Sequence, residues 1–213
     1  MSERGDAVIG SRAERTAATR RRMLDAAAAL FVSSGYTGTR VEDIAARSGV
    51  AVQTVYFTFQ NKRTILKELV DVHVAGDEEP VPTLQRPWVR DVLEAADPAD
   101  HLFLQAKAAR DINERVAPLL LVLRAAAPAD ADAAALWQAN QQQRLQVQQH
   151  LAQSLAGKLR RGNRWSLRTA DVTYVVLSPD SYTVFVAERG WTPQQWQAWT
   201  ANALRRELLE EHT

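Results

Sequence analysis

The stretch from Ser48 to Lys62, SGVAVQTVYFTFQNK, concentrates more usable chemistry than any other part of the chain. If it is a helix beginning near Ala51 or Val52, then Val52, Val55, Tyr56 and Phe59 fall toward one side, and Gln53, Thr54 and Phe57 toward the other. That second face carries an amide, a hydroxyl and an aromatic ring, free to contact something outside the chain. The composition of VQTVYFTF is nevertheless strand-like, β-branched and aromatic. A strand would place Gln53 on the same side as Val55, Phe57 and Phe59, burying an amide with no evident partner. The helix costs less.

The elements around this stretch predict how it is held. A first helix is expected from about Thr16 to Ser33, with Leu24, Ala27, Ala28 and Phe31 on one face and Gly35 as its stop. In TRVEDIAARSG, Thr39 and Glu42 have capping-box spacing, Val41, Ile44 and Ala45 supply a buried side, and Gly49 ends about two turns. Two short helices joined by SGVA make a helix-turn-helix, which presents its second helix to the DNA major groove. Asn61 then caps a further helix with Ile65, Leu66, Leu69 and Val70 in its apolar stripe. Arg40, Lys62 and Arg63 fall in first turns, where the helix dipole disfavours cations by about 0.3 to 1 kcal/mol each. Phosphates would relieve that, although simple solvent exposure is the alternative.

The sequence has 213 residues, 46% hydrophobic and 24% charged, enough for a real core in one large domain or a small and a larger one. Its net charge is +1, yet residues 1–63 carry ten basic and six acidic side chains, a basic front on an acidic body. There is no cysteine, which excludes disulfides, thiolate metal sites and a cysteine nucleophile. With no signal-like or membrane-spanning run, a cytoplasmic protein is expected. His73, His101, His150 and His212 are scattered without metal-ligand spacing, and no phosphate loop or nucleophile elbow occurs. DPADH, at Asp97 to His101, reads as a proline-started helix with acids in its first turn. No enzyme, metal site or cofactor is expected.

The residues from about Arg20 to Leu69 resemble the amino-terminal domain of the TetR family of transcriptional regulators. The likeness rests on LFVSSGYTGTRVEDIAARSGVA followed by TVYFTFQNKRTIL: Thr, aliphatic, Tyr, two variable positions, Phe, one residue, a small polar residue, Lys. The resemblance implies that Tyr56 and Lys62 hold phosphates, that Thr39 and Arg40 fix the second helix on the DNA backbone, and that Gln53, Thr54 and Phe57 lie at or near base edges. Gln53 stands where the family often has a small residue, and Gln60 where it often has proline or glycine. It further implies an all-α chain: a helical body that dimerises and holds a cavity, and a repressor released from a palindromic operator in double-stranded DNA by a small-molecule effector.

The expected organisation is an arm over 1–15, a helix-turn-helix domain over 16–60, a connecting helix over 61–78 and a helical body over 79–213. The body should hold helices at about Trp88 to Ala96, Pro98 to Arg115, Pro118 to Ala127 and Asp132 to Lys158. The loop RRGNRWSL and two final helices follow, the penultimate one interrupted at Pro179. On the long helix, Trp137, Gln141, Arg144, Gln148, Leu151 and Leu155 form a stripe in which polar groups interrupt an apolar face. With Trp88, His101, Gln105 and Asn113 it outlines a small-molecule site; glutamines facing water are the alternative, and would leave a DNA-binding or protein-interaction module with no effector. On the last helix Trp196, Trp199 and Ala203 share one face and Leu204 another, so two partners are needed. With Val175, Tyr182 and Phe185 these predict a homodimer interface, unless both faces are satisfied inside one chain.

Overall fold

A computed structural model of the chain describes residues 3–210 apart from 78 and 80, and of residues 3–11 the backbone alone. Among the described residues there is no strand: the chain is all-α, a helix-turn-helix end joined to a larger helical body.

Helix α1 runs Glu3–Gly38 with a break at Gly35, whose φ of 74° is open to glycine. It starts well before Thr16, so the backbone expected as an arm is helical from Glu3; Met1 and Ser2 lie outside the described residues. Ala13, Glu14, Arg15 and Ala17 are good helix formers, and nothing between them and Thr16 interrupts the ladder. Helix α2 spans Val41–Ser48 and ends at Gly49, φ 70°. The expected Thr39 and Glu42 box does not form. The Thr39 hydroxyl turns back to Gly35 O (2.8 Å), and Asp43 instead accepts from the Arg40 N–H (3.2 Å). Helix α3 is Val52–Phe59, so tertiary placement overrides its strand-like composition. Helix α4, Lys62–Ala75, is capped by Asn61, which accepts from Thr64 N (2.9 Å).

A strap over 77–86 with one 3-10 turn, Thr83–Gln85, leads into α5, Pro87–Glu94. Helix α6 is one piece, Pro98–Ala126, where a break at Pro118 was predicted. Pro118 faces solvent while Val116, Ala117, Leu119 and Leu120 are buried, so the lost N–H bond falls on the wet side and packing holds both halves in line. Helix α7, Ala131–Lys158, is capped by Asp130 (2.8 Å to Ala133 N). The loop RRGNRWSL is shorter than predicted, because α8, Asn163–Val176, takes up most of it. Pro179 does separate α8 from α9, Pro179–Tyr182, which continues as a π-helical turn, Thr183–Glu188. Helix α10, Pro193–Leu209, starts at the predicted box: Thr192 and Gln195 bond reciprocally at 3.1 and 2.8 Å.

One apolar core runs from Met23 and Phe31 of α1 through Ile44, Phe59 and Leu66 into Leu120 and Leu123 of α6, and reaches Ala133 of α7. A second surrounds Trp196 and Leu204 of α10, and a third joins Val89 and Val92 to Leu151. The helix-turn-helix end and the body therefore share packing, each fully buried large side chain contributing about 1.5 to 3 kcal/mol. Arg115 of α6 closes the joint by donating Nε to His73 O in the last turn of α4 (3.1 Å). Gly76 follows at φ 86°, and a Cβ there would lie 3.1 Å from the Arg115 guanidinium. Gly76→Ala should lower the unfolding free energy by about 1 to 2 kcal/mol in urea titration. Gly49→Ala, equally left-handed but with open space around it, isolates the backbone share.

Candidate functional site

Two places on the molecule gather the predicted functional residues: the outer face of α3 and a cavity inside the body. On α3, Val55 and Phe59 are 1% exposed and fasten the helix to the first core, while Phe57 is 92% exposed and Tyr56 45%. Gln53 is exposed as well and Thr54 half-buried, so the two faces sort as predicted except at Tyr56, which was placed with the anchoring residues and stands outside. Gln60 ends the helix at φ 65°, a conformation glycine adopts without strain. That explains why glycine suits this position.

Thr39 and Lys62 are placed differently from the remainder of the predicted DNA-facing set. Thr39 is 1% exposed with its hydroxyl bonded inside the fold. The Lys62 ammonium donates to Tyr36 O (2.8 Å) and Thr39 O (3.0 Å) and lies 4.3 Å from the centre of the Tyr36 ring. Burial lowers the Lys62 pKa, and burial with the nearby Asp130 and Asp132 pushes the Tyr36 hydroxyl up to about 12. Both residues therefore position the turn before α2 and do not project outward. Of the three first-turn cations, Lys62 is met by these carbonyls and Arg63 by Asp132 (2.9 Å). Arg40 is exposed, and its side chain has no partner among the described residues.

The cavity, about 480 Å³, lies between α4, the strap, α5, α6 and α7, with Leu177 and Pro179 closing one side. Trp88, Gln105, Asn113, Arg144 and Gln148 line it, as the sequence predicted. Gln105 donates to Gln148 Oε1 (2.6 Å), and Asn113 to Leu177 O (3.2 Å). Arg144, its pKa lowered by burial, donates to Gln141 Oε1 (2.7 Å) and Tyr174 O (3.3 Å) and stacks on the Tyr174 ring at 4.5 Å.

Three predicted residues lie elsewhere. Trp137 packs on the first core, Gln141 holds Arg144 from beside the cavity, and His101 is wholly buried against Lys158. The predicted stripe was drawn one position off at its start. The lining face is Asn140, Arg144, Gln148 and Leu151, and Asn140 was missed although it sits one turn before Arg144. Arg86 was missed too: it is 6% exposed and donates to Val81 O, Glu79 O and the Asp77 carboxylate, wrapping the strap around its guanidinium. That bond holds the Asp77 carboxyl below its usual range.

The predicted dimer face is largely internal. Trp196 and Leu204 are 0% exposed and Tyr182 7%, with the Tyr182 and Trp196 rings edge to face at 5.2 Å. Phe185 stacks between Trp191 and Trp199 at 4.5 and 4.7 Å, and Ala203 is half-buried. Both sides of α10 find partners within the chain. Val175 alone of that set stands well out, at 65% exposure, with Leu167 and Val184 also exposed.

Residues 23–69 match the model of the bacterial regulatory proteins of the tetR family. That segment, the helix-turn-helix end, is a tetR-family amino-terminal domain. Beyond that region likeness is carried by shape. An uncharacterized HTH-type transcriptional regulator, YvkB of Bacillus subtilis (strain 168), is 36% identical over 55 residues, 26% of this chain and 29% of that protein, so the match spans under a third of the relative. The structure of NalD, the secondary repressor of the MexAB-OprM multidrug efflux pump in Pseudomonas aeruginosa, superimposes with a TM-score of 0.68 at 19% identity, covering 93% of this chain and all of that one. FadR from Bacillus subtilis, a transcriptional regulator in complex with stearoyl-CoA, gives 0.63 at 16% identity over 90% and 99% of the two chains. Among the described residues no helix is long and apolar enough to cross a membrane, and no group of His, Asp or Glu has metal-binding geometry.

His101 gives this fold a pH signature. Burial and the Lys158 charge bring its pKa down to about 4 from an ordinary 6.5. The unfolded chain thus binds the extra proton between those values and the folded chain does not, so stability is full above about pH 6.5 and falls as pH drops toward 4. The loss should approach about 3 kcal/mol, and His101→Phe should flatten the profile in denaturant titrations across that window.

Proposed function

We propose that this chain is a homodimeric, sequence-specific DNA-binding regulator of the TetR family, a repressor released from its operator by a small molecule held in the body cavity. The observation that carries this reading is a single core with a bare recognition face at one end and a polar-lined cavity at the other. Phe57 and Gln53 meet base edges, Tyr56 and Arg40 meet phosphates, and Thr39 and Lys62 set the angle of the helices behind them. Two copies would join through the exposed apolar side of α8 and the π-helical turn, at Leu167, Val175 and Val184, giving two reading helices for a palindrome. NalD is a repressor and FadR holds stearoyl-CoA, which supports a regulator with a ligand-bearing body of this shape.

Helix α7 links the two ends. It carries Arg144 in the cavity wall and, in its first turn, Asp132, which pairs with Arg63 at the start of α4. A ligand that binds one position of α7 better than another shifts the DNA-binding equilibrium by that difference and no more.

The test is fluorescence anisotropy with palindromic DNA from upstream of the chain's own gene. Phe57→Ala and Gln53→Ala should each weaken binding to the cognate palindrome by about 1 to 3 kcal/mol and much less to random DNA. Arg40→Gln should weaken both equally and make the salt slope shallower by about one unit. Salt-independent binding, or none, sinks the reading. Asp132→Asn frees Arg63 for phosphate, so DNA affinity should rise. Val175→Glu should yield monomers in sedimentation velocity that no longer hold the palindrome.

A further inference from the structure

The cavity wall is not evenly satisfied. Asn140 is 6% exposed, lines the cavity, and its Oδ1 is buried with no hydrogen-bond partner. A buried acceptor left unpaired is a standing cost that a ligand O–H would remove. One turn along the same face, Arg144 spends its bonds on two neutral acceptors, Gln141 Oε1 and Tyr174 O. No described carboxylate pairs with it: Asp180, whose charge it feels, is itself paired with Arg124. The contrast with Arg86 is direct, since that guanidinium, also in the wall, is already neutralised by Asp77. Arg144 is the wall's cation lacking an anion, with further N–H donors on its planar fork to offer one.

The α6 side of the wall is apolar, with Ile112, Val116 and Leu120, and Val147 and Leu151 of α7 and Leu177 add to its apolar surface. At 480 Å³ the space is within the range of small-molecule sites. The remaining charges in the wall, Asp71 and Glu79, belong to α4 and the strap; Asp71 is paired with Lys67. They would repel an anion at their end, which leaves Arg144 as the place for one.

We propose that the cavity takes an amphipathic organic carboxylate bearing a hydroxyl, with the carboxylate on Arg144, the hydroxyl on Asn140 and the apolar body along α6. This rests on reading the cavity as the effector site. Arg144 gives the acid preference, Asn140 selects the hydroxylated member of a pair, and the α6 wall tolerates variation in the apolar part.

The experiment is calorimetric titration of the full chain with four probes of one chain length, each below its micelle concentration: 3-hydroxydecanoate, decanoate, decane-1,3-diol and decylamine. The hydroxy acid should bind tightest. Arg144→Gln should weaken it about tenfold or more while leaving the diol within about threefold, and Asn140→Leu should erase the margin of 3-hydroxydecanoate over decanoate. Ala109→Phe, intruding from the cavity wall and checked for a cooperative melt, should abolish all cavity binding. Binding led by the diol or the amine, or an Arg144→Gln chain that keeps its preference for the acid, overturns the ligand chemistry. If those same probes are blocked by Ala109→Phe and release the palindrome, the effector-site reading still stands. A hydroxy acid that binds as proposed but never releases the palindrome instead overturns the effector reading and leaves the binding site.

Discussion

Everything at the reading end depends on where one ammonium group goes. Lys62 Nζ is drawn in to the carbonyls of Tyr36 and Thr39, at the place where α1 stops and α2 is about to start. The α1 terminus carries the negative end of a helix dipole, and the Tyr36 ring adds its electron-rich face, so a partly desolvated cation is held by three favourable terms. Burial works against it, as its lowered pKa records. Because Lys62 is also the first residue of α4, this one contact ties the end of α1, the start of α2 and the start of α4 together. Helix α3 lies between α2 and α4 in the chain, and its pose follows from theirs.

That tie also explains how a strand-like sequence folds as a helix. Val55 and Phe59 of α3 are buried against the same core that holds Ile44, Ile65 and Leu66, and they recur at a spacing of four. Had α3 paired as a strand, that spacing would have put them on one face together with Phe57, leaving no bare ring outside. Phe57 at 92% exposure is a large apolar ring left in water, an arrangement that costs solvation. Gln60, in a glycine-like conformation at the helix end, is a second local cost at the same place.

What the sequence disclosed follows the range of each physical signal. Caps and stops are local, so Gly35, Gly49, Asn61 and the Thr192 box were readable; the exception, Thr39, failed because a carbonyl four residues back competed for its hydroxyl. Periodicity gave the helices and part of the cavity wall, since Arg144 and Gln148 recur at helical spacing. The stripe from Trp137 to Leu155 keeps the helical mean of 3.6, so its period is right; what periodicity does not tell is which edge of the stripe turns to the cavity, and Trp137 and Gln141 stood in for Asn140 on that edge. Burial within one chain was beyond reach: Trp196 and Leu204 look like interface residues until α6, α8 and the π-helical turn are seen to cover them. Arg86 was invisible for a similar reason, its partners being strap carbonyls whose positions no pattern of side chains reveals.

The same helix that was misread by one position is the one that spans the two ends of the molecule. Helix α7 is continuous from Asp132, at the Arg63 ion pair, to Arg144 in the cavity wall, with Ala133 in the first core between them. A helix without a kink transmits a shift along its axis with little loss, whereas the exposed Arg63 pair itself is worth no more than about 1 kcal/mol. Any signal carried this way must therefore come from repacking of Ala133 and its neighbours against α6, with the ion pair setting direction more than magnitude. Since α4 packs on that same core and is bonded to α6 by Arg115, a displacement of α7 of the kind the proposed release requires would reach the Lys62 contact from behind and turn α3.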